Sequence, residues 1–347
     1  MDLRAFYADL GAVFAGGDVL HFGAPQDEAA AAAGDGALLV PLLSVTPLRI
    51  TGADRAGFLH GQLSNRVEGL PPGACNHTLQ LNVRGQVVGE GLLCARESDL
   101  FLAVDDGRGG AVRASLEQHV VFDDVAIQDL GGELASLTLQ GSGAAEALAR
   151  ALGTPPGPGA FARYAVADAE VLAAARKRSR AGGFDLHLLA RQLPEVVGAL
   201  REAGARLAGA PALTLARVLA GVPSAPHEGG SGALPQELGL EDALSHSKGC
   251  YLGQEIMARI EGRGAVRKGL ARLRLEGPAE ALASLAGRED RSLRLDGRDV
   301  GRLGSVARAP DGSWWGLAVL RRDLPADAPL DAGAVRGRLD PLETAST

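Results

Sequence analysis

The chain has 347 residues, of which 46% are hydrophobic and 22% are charged, and its formal net charge is −7. This composition is typical of a folded protein with two or three domains, and it disfavours both disorder and a broad nucleic-acid-binding surface. No stretch approaches the ~18 apolar residues that span a membrane, and the N-terminus lacks the pattern of a secretory signal. The three cysteines, Cys75, Cys94 and Cys250, are far apart, which disfavours a disulfide framework and predicts a cytoplasmic protein.

The first part of the chain predicts strands and helices in alternation. Asp54 stands where it can cap a helix, and Arg84-Gly85 supplies a turn between two apolar runs. Hydrophobic periodicity predicts, in chain order, strands at 37–45 and 48–50, a helix at 55–63, a hairpin at 79–93, a strand at 100–104 and a helix at 108–119.

The second part predicts further strands and helices, followed by a separate small domain. The elements are strands at 134–140, 166–174 and 184–189, with helices at 144–152, 193–204 and 211–220. A Gly/Pro-rich excursion at 222–242 precedes a helix that we expect to end near Ile260. Four short strands after Gly262-Arg263-Gly264 predict an antiparallel barrel or sandwich. We therefore predict one region at 1–262 and a second at 263–347.

The segment Lys248-Gly249-Cys250-Tyr251-Leu252-Gly253-Gln254-Glu255 is the strongest candidate for chemistry. It contains one of only three lysines, one of three cysteines and one of three tyrosines. A neighbouring cation favours the thiolate, and a helix that begins near Tyr251 would add its positive end. Gln254 and Glu255 offer an amide and a carboxylate, and Glu255 can pair with Arg259 one turn later. The alternative is a buried Cys250, a core Tyr251 and a solvated Lys248, but the clustering favours a catalytic group.

Other motifs carry weaker signals. Gly141-Ser142-Gly143 between a strand and a helix resembles a dinucleotide fingerprint, but Glu146 replaces the third glycine. The basic run at 176–180 predicts a solvated loop, with contact to a polyanion such as RNA phosphate or a polyglutamate tail as the alternative. Histidines and cysteines show no ligand spacing, so we expect no metal held by this chain alone. An iron–sulfur cluster bridged by Cys250 to another chain or a small thiol stays open.

The 248–255 segment resembles the signature of the YgfZ family of folate-binding proteins, which is related to the aminomethyltransferase (T-protein) of the glycine cleavage system. Further segments are similar in the same order from about Leu42 onward, namely 58–65, 139–141, 183–186, 217–223 and 234–237. The resemblance implies an α+β aminomethyltransferase-like folate-binding fold, with three domains in a ring. Residues 1–262 would form two interleaved α+β subdomains, and a small C-terminal β-barrel would follow.

The resemblance also implies a function and a set of binding residues. The cofactor would be tetrahydrofolate, and the role would be support of iron–sulfur cluster assembly or repair, including for enzymes that modify tRNA. Partners would be iron–sulfur proteins or assembly factors, with nucleic acid not a direct ligand. Asp185 would bind the pterin edge and Arg217 the glutamate carboxylate. The remaining predicted cofactor-binding residues are Asn65, Glu237 and Arg259.

Departures from the T-protein pattern disfavour its reaction. Gly89 stands where the family places the first of two adjacent aspartates, one of which aminomethyl transfer requires, and a general acid–base role needs a side chain that accepts a proton. Arg66 and Leu219 replace two further acids. A folate-dependent one-carbon transferase and a non-catalytic scaffold that retains the pocket remain the alternatives to the leading interpretation.

Overall fold

The computed structural model describes residues 1–230, 232–264, 266–288 and 290–340. The elements before the first long loop are α1 (Leu3–Asp9), β1 (Val13–Ala15), β2 (Asp18–His21), α2 (Pro25–Ala33), β3 (Ala37–Pro41), β4 (Thr46–Thr51) and α3 (Arg55–Gln62). The central elements are β5 (Cys75–Leu81), β6 (Val87–Ala95), β7 (Leu100–Val104), α4 (Gly109–His119), β8 (Ala126–Asp129), β9 (Leu134–Gln140), α5 (Ala144–Ala151), β10 (Phe161–Val166), β11 (Ala169–Ala175), β12 (Gly183–Leu189), α6 (Leu193–Glu202), β13 (Ala205–Leu207) and α7 (Ala210–Ala220).

The C-terminal part begins with short helices and ends in strands. Its elements are α8 (Ala225–Gly229), α9 (Pro235–Leu238), α10 (Gln254–Arg263), β14 (Lys268–Glu276), α11 (Ala279–Ser284), β15 (Ser292–Leu295), β16 (Arg298–Arg308), β17 (Trp314–Arg321), β18 (Leu330–Ala332) and β19 (Val335–Asp340). Single turns of 3₁₀ helix occupy Ala190–Gln192, Glu241–Ala243 and Leu285–Gly287.

Two large open sheets and a two-stranded β1–β2 sheet form the first part of the molecule. One has the strand order β10-β11-β12-β9-β3-β13 and is antiparallel apart from the β13–β3 pair. Leu137, Leu139, Leu186 and Leu188 alternate along β9 and β12 and bury one face of this sheet against α5 and α6. Burial of these leucines contributes roughly 2 kcal/mol per side chain.

The second sheet has the strand order β5-β6-β7-β4-β8. On one face, Leu93 and Leu102 pack with Leu59 of α3 and Val112 of α4. On the other face, a small apolar cluster formed by Leu92, Phe101 and neighbouring side chains meets Leu172 and Ala174 of β11. The two sheets therefore face each other, and the space beside this contact becomes the cavity described below.

Strands after α10 close into a barrel in the order β14-β17-β16-β15-β18-β19. Leu273, Leu293, Leu303 and Leu330 fill its interior. Leu215 and Val218 of α7 pack against the outside of the barrel and join it to the first part. The α+β fold with a C-terminal β-barrel is thus confirmed. The division of the chain into the regions 1–262 and 263–347 stays a prediction. The last residues of the second region, 341–347, lie outside the described residues.

Candidate functional site

Residues 248–253 form a loop that leads into α10, and Gln254 and Glu255 are the first two residues of that helix. The Tyr251 N–H donates to Gln254 Oε1 at 3.0 Å, and the Leu252 N–H donates to the Gly61 carbonyl at 3.1 Å. Gly253 has φ +86°, and a Cβ there would lie 2.7 Å from the Asn82 carbonyl oxygen. Only glycine fits this position without strain, because it combines a left-handed backbone with a close backbone approach.

Lys248 caps the C-terminal end of α3. Its Nζ donates to the carbonyl oxygens of His60 at 2.6 Å, Leu63 at 2.5 Å and Asn65 at 3.0 Å. These groups lie where a helix leaves its last carbonyls without partners, and a lysine can satisfy them. Burial lowers the pKa of Lys248 to about 8, while the three accepting oxygens favour the ammonium form. The side chain therefore ties the loop to α3, and the Tyr251 ring lies 4.8 Å from the ammonium.

The expected helix start near Tyr251 is wrong. The helix α10 begins at Gln254, after the Gly253 cap, so Cys250 lies outside the first turn. The reason is the left-handed Gly253, which interrupts helical geometry between the thiol and the helix. Cys250 is exposed, whereas the Lys248 ammonium is committed to carbonyl oxygens. The predicted pair on the helix surface is confirmed, because Arg259 Nη2 lies 3.7 Å from Glu255 Oε2, and both side chains are exposed.

A cavity of about 800 Å³ lies between the two sheets and the segment that follows α7. Apolar side chains from Leu92, Phe184, Val222 and Leu240 cover part of its wall. The polar and charged residues that line it are Asn65, Cys75, Asn76, His77, Glu90, Arg176, Lys177 and Asp242. Its mixed apolar and polar wall is typical of a small-molecule site.

An ion-pair network forms one side of this cavity. Arg176 Nη2 donates to Glu90 Oε1 at 2.7 Å, and His77 Nε2 lies 2.9 Å from the same oxygen. His77 Nδ1 lies 3.1 Å from Asp242 Oδ2. Burial alone would raise the pKa of Glu90, but His77 and Arg176 hold it at about 2. Burial and Arg176 work against protonation of His77, yet hydrogen bonds to Asp242 and Glu90 raise its pKa. Both ring nitrogens of the imidazolium can then donate, one to each carboxylate.

A second layer of charges lies behind this wall. Arg178 donates to both oxygens of Asp185 at 2.7–3.2 Å and to Asp105 Oδ1 at 2.6 Å. Asp105 in turn accepts from Arg176 at 3.0 Å. The expectation of a solvated basic loop at 176–180 is therefore wrong for three of its five members, because Arg176, Arg178 and Ser179 are buried. Arg176 and Arg178 point inward because β11 and β12 place them opposite buried carboxylates, while Lys177 remains exposed.

The structure separates the predicted cofactor-binding residues. Asn65 lines the cavity, and its Nδ2 donates to the His77 carbonyl at 2.8 Å. Asp185 is 1% exposed and lies behind the wall, with both oxygens held by Arg178. Arg217 is buried against the barrel, where it donates to Ser305 Oγ and the Val222 carbonyl, both at 2.9 Å. Glu237 caps α9 through the Leu234 N–H. Arg259 is exposed on α10. Ligand contact by these residues stays a prediction.

Sequence reasoning missed the acid that faces the cavity. Glu90 lines it, whereas the preceding Gly89 faces α4, where a Cβ would lie 2.2 Å from Val112 Cγ2. Successive strand residues point to opposite faces, so the two positions cannot exchange roles. Gly89 therefore faces away from the cavity, and the next residue of β6 places a carboxylate in its wall. Glu90 and Leu92 are two positions apart on β6 and both line the cavity. This alternation in the sequence was the signal that could have identified Glu90 as the cavity-facing acid.

Two residues of the cavity wall carry buried polar atoms without a partner among the described residues, Arg176 Nε and Asn76 Oδ1. Buried polar atoms are nearly always hydrogen-bonded, so this wall lacks one acceptor and one donor.

Within the described ranges, no group of three or more His, Cys, Asp or Glu residues is arranged to hold a metal ion. None of the helices described is long and apolar enough to cross a bilayer.

Comparisons with known proteins define the class. A family model described as the GCVT N-terminal domain matches residues 23–248. The glycine cleavage system aminomethyltransferase T of Bartonella henselae shares the fold, with a TM-score of 0.77 at 17% identity, covering 97% of this chain and 95% of that protein. The fold is therefore that of an aminomethyltransferase-like protein, and the chain carries a GCVT domain.

Curated relatives narrow this class to one family. The tRNA-modifying protein YgfZ of Edwardsiella ictaluri is 30% identical over 305 residues, covering 82% of this chain and 84% of that protein. YgfZ of Serratia proteamaculans is 29% identical, covering 84% of this chain and 87% of that protein. The chain belongs to the YgfZ family, within the wider GCVT group.

Proposed function

We propose that the protein binds tetrahydrofolate in the 800 Å³ cavity and supports tRNA modification by maintaining iron–sulfur enzymes. The observation that supports the folate assignment is a pair of buried polar atoms in the cavity wall that lack hydrogen-bond partners among the described residues, Arg176 Nε and Asn76 Oδ1. A pterin offers both hydrogen-bond donors and acceptors on one planar edge, which suits a wall with one orphan donor and one orphan acceptor. The apolar side of the cavity, with Phe184 and Leu240, suits the faces of the ring.

The residues of the wall have distinct roles in this proposal. Arg176 and Asn76 bind the ligand edge, and Glu90 holds Arg176 in place through the 2.7 Å contact. Asp185 acts indirectly, because it fixes Arg178, which shares Asp105 with Arg176. Lys177, exposed at the rim, provides a cation for the carboxylates of a glutamate tail. Tetrahydrofolate carries one-carbon units. In this proposal the protein presents the bound cofactor to a partner protein.

The signature loop supplies the second part of the proposed function. Cys250 is exposed on a loop that Lys248 and Gly253 hold rigidly, so its thiol is available to a partner protein. The relatives with 30% and 29% identity are named tRNA-modifying proteins, which supports the same role here. The net charge of −7 disfavours direct contact with tRNA over a wide surface, so we place the effect on an iron–sulfur enzyme rather than on RNA.

Calorimetric titration with tetrahydrofolate under anaerobic, reducing conditions tests the folate assignment. We expect saturable binding to the parent protein, with at least about tenfold weaker binding after Asn76→Ala, since one buried hydrogen bond contributes about 1.4 kcal/mol. Arg206→Ala serves as a control, because this exposed arginine pairs only loosely with Asp27 at 3.6 Å, away from the cavity. Absence of heat with the parent protein would remove the folate assignment.

Complementation tests the cellular role separately. In a bacterium that lacks its own YgfZ protein, Cys250→Ala should abolish support of an iron–sulfur enzyme of tRNA modification while leaving tetrahydrofolate binding intact. Full activity of Cys250→Ala would exclude the thiol. Normal enzyme activity without any copy of the protein would exclude the iron–sulfur role.

A one-carbon transferase is the second candidate, and Glu90 is the observation that favours it. This carboxylate faces the cavity, so the site does contain an acid. With a pKa of about 2, however, Glu90 is a poor proton acceptor near neutral pH, and both nitrogens of His77 are occupied by carboxylates. Turnover in an assay of one-carbon transfer to or from tetrahydrofolate would establish this function. A scaffold without folate chemistry would show neither turnover nor binding.

A further inference from the structure

Cys75 and Cys94 lie directly opposite each other on neighbouring antiparallel strands. Cys75 of β5 is in register with Cys94 of β6, and both side chains belong to the same buried cluster. They therefore project from the same face of the sheet. They are nineteen positions apart in the sequence, so only the strand pairing brings them together.

The hydrogen-bond pattern identifies the type of pair. The Cys75 N–H donates to the Gly159 carbonyl at 2.8 Å rather than across to β6, and the Ala95 N–H donates to the Ala74 carbonyl at 2.9 Å. Cys75 and Cys94 thus occupy a non-hydrogen-bonded position, where opposed Cα atoms are about 4.5 Å apart and side chains are closest. That separation falls within the range of about 4.4–6.8 Å that a disulfide bridges.

The two thiols differ in access and in acidity. Cys75 lines the central cavity, whereas Cys94 is fully buried behind it. Hydrogen bonding with Cys94 lowers the pKa of Cys75, burial opposes this effect, and Arg176 contributes a further lowering. Burial raises the pKa of Cys94. Cys75 is therefore the thiol that meets a reagent first, and Cys94 is placed to complete the reaction.

We propose that Cys75 and Cys94 form a reversible cross-strand disulfide, with the central cavity as the route for the oxidant. The oxidant is a low-molecular-weight disulfide. The Cys75 thiolate attacks one of its sulfurs, forms a mixed disulfide and releases the other half as a thiolate. Cys94 then attacks the Cys75 sulfur, transfers its proton to the second leaving thiolate and closes the bond. The protein loses two electrons and two protons overall, and the small disulfide becomes two thiols.

Oxidation would act on the ligand site because Asn76 and His77 follow Cys75 on β5 and line the same cavity. A covalent link between β5 and β6 would fix this part of the wall. The redox pair itself does not depend on folate. Only its connection to ligand binding rests on the proposed function.

The test uses the full chain with Cys250→Ser, which leaves only the two thiols of interest. After incubation with 2-hydroxyethyl disulfide, we expect both thiols to disappear together and the protein to lose the mass of two hydrogen atoms. Dithiothreitol should then restore both thiols fully. Adding Cys94→Ser should instead trap a mixed disulfide on Cys75. Cys94→Ser alone, with Cys250 present, reports any scrambling with the exposed thiol. Two free thiols under conditions that fully oxidise Cys250 in the parent protein would overturn the proposal.

Protection by ligand tests the route. Saturating tetrahydrofolate should slow oxidation of the pair at least about fivefold, and an unchanged rate despite calorimetrically saturated protein would exclude the cavity as the route. If tetrahydrofolate does not bind at all, the proposed function fails, while disulfide formation in the unliganded protein still decides the redox proposal.

Discussion

Replacing Lys248 by Met tests whether this lysine holds the signature loop or activates the thiol. The substitution keeps the aliphatic stem but removes the donor to three carbonyl oxygens at the end of α3. Each carbonyl that loses its partner in this half-buried site costs about 1 kcal/mol, so local stability should fall by about 3 kcal/mol. This corresponds to a roughly 100-fold loss of protection against amide hydrogen exchange.

The amides to follow are those that depend on the loop contact. The Leu252 N–H donates to the Gly61 carbonyl, and the Ser245 N–H donates to the Ser64 carbonyl. Lys268→Met is the matched control, because Lys268 is exposed on β14. Unchanged exchange at these amides, together with a slower reaction of Cys250 with a thiol reagent, would refute the loop-holding role and favour direct activation of the thiol.

Three further substitutions test the Gly253 turn, the cavity network and a buried histidine. Gly253→Ala should lower the free energy of unfolding, measured with denaturant, by roughly 2 kcal/mol, because it places Cβ 2.7 Å from the Asn82 carbonyl oxygen. Gly249→Ala should be nearly neutral, because a Cβ there has no neighbour within 4 Å. Equal effects of the two substitutions would contradict the steric explanation. Glu90→Gln should lower the pKa of His77, measured by NMR, and destabilise the protein by about 3 kcal/mol, because it removes one of the two carboxylates that pair with the buried Arg176. An unchanged His77 pKa would contradict the network.

The third of these concerns pH. Burial lowers the pKa of His187 to about 4, so the unfolded chain takes up a proton between about pH 6.5 and 4 that the folded chain does not. This residue's contribution to stability is therefore complete above pH 6.5 and falls by about 3 kcal/mol as pH drops to 4. His187→Gln should flatten the unfolding free energy over this interval relative to the parent. If the unfolding free energies of the variant and the parent fell in parallel with pH, His187 would not be the source of the pH dependence.

Local pattern was sufficient for most of the fold. The predicted helix at 55–63 corresponds to α3, and the hairpin about Arg84-Gly85 corresponds to β5 and β6. The strands predicted at 100–104 and 134–140 have the observed bounds. The last two barrel strands, β18 and β19, were not predicted, because a three-residue strand such as Leu330–Ala332 carries too little alternation to be distinguished from a loop.

The sequence by itself determined the family signature, the α+β character and the C-terminal barrel, because these depend on residue identity and on periodicities of a few residues. The tertiary structure decided what each charged group does. Lys248 reaches carbonyl groups more than 180 positions away, a contact that its sequence position beside Cys250 does not reveal. The strand pleat turned Glu90 toward the cavity and Gly89 away from it, and sheet packing buried Arg176 against that carboxylate. Direction and burial arise from contacts between distant segments, which no local pattern contains.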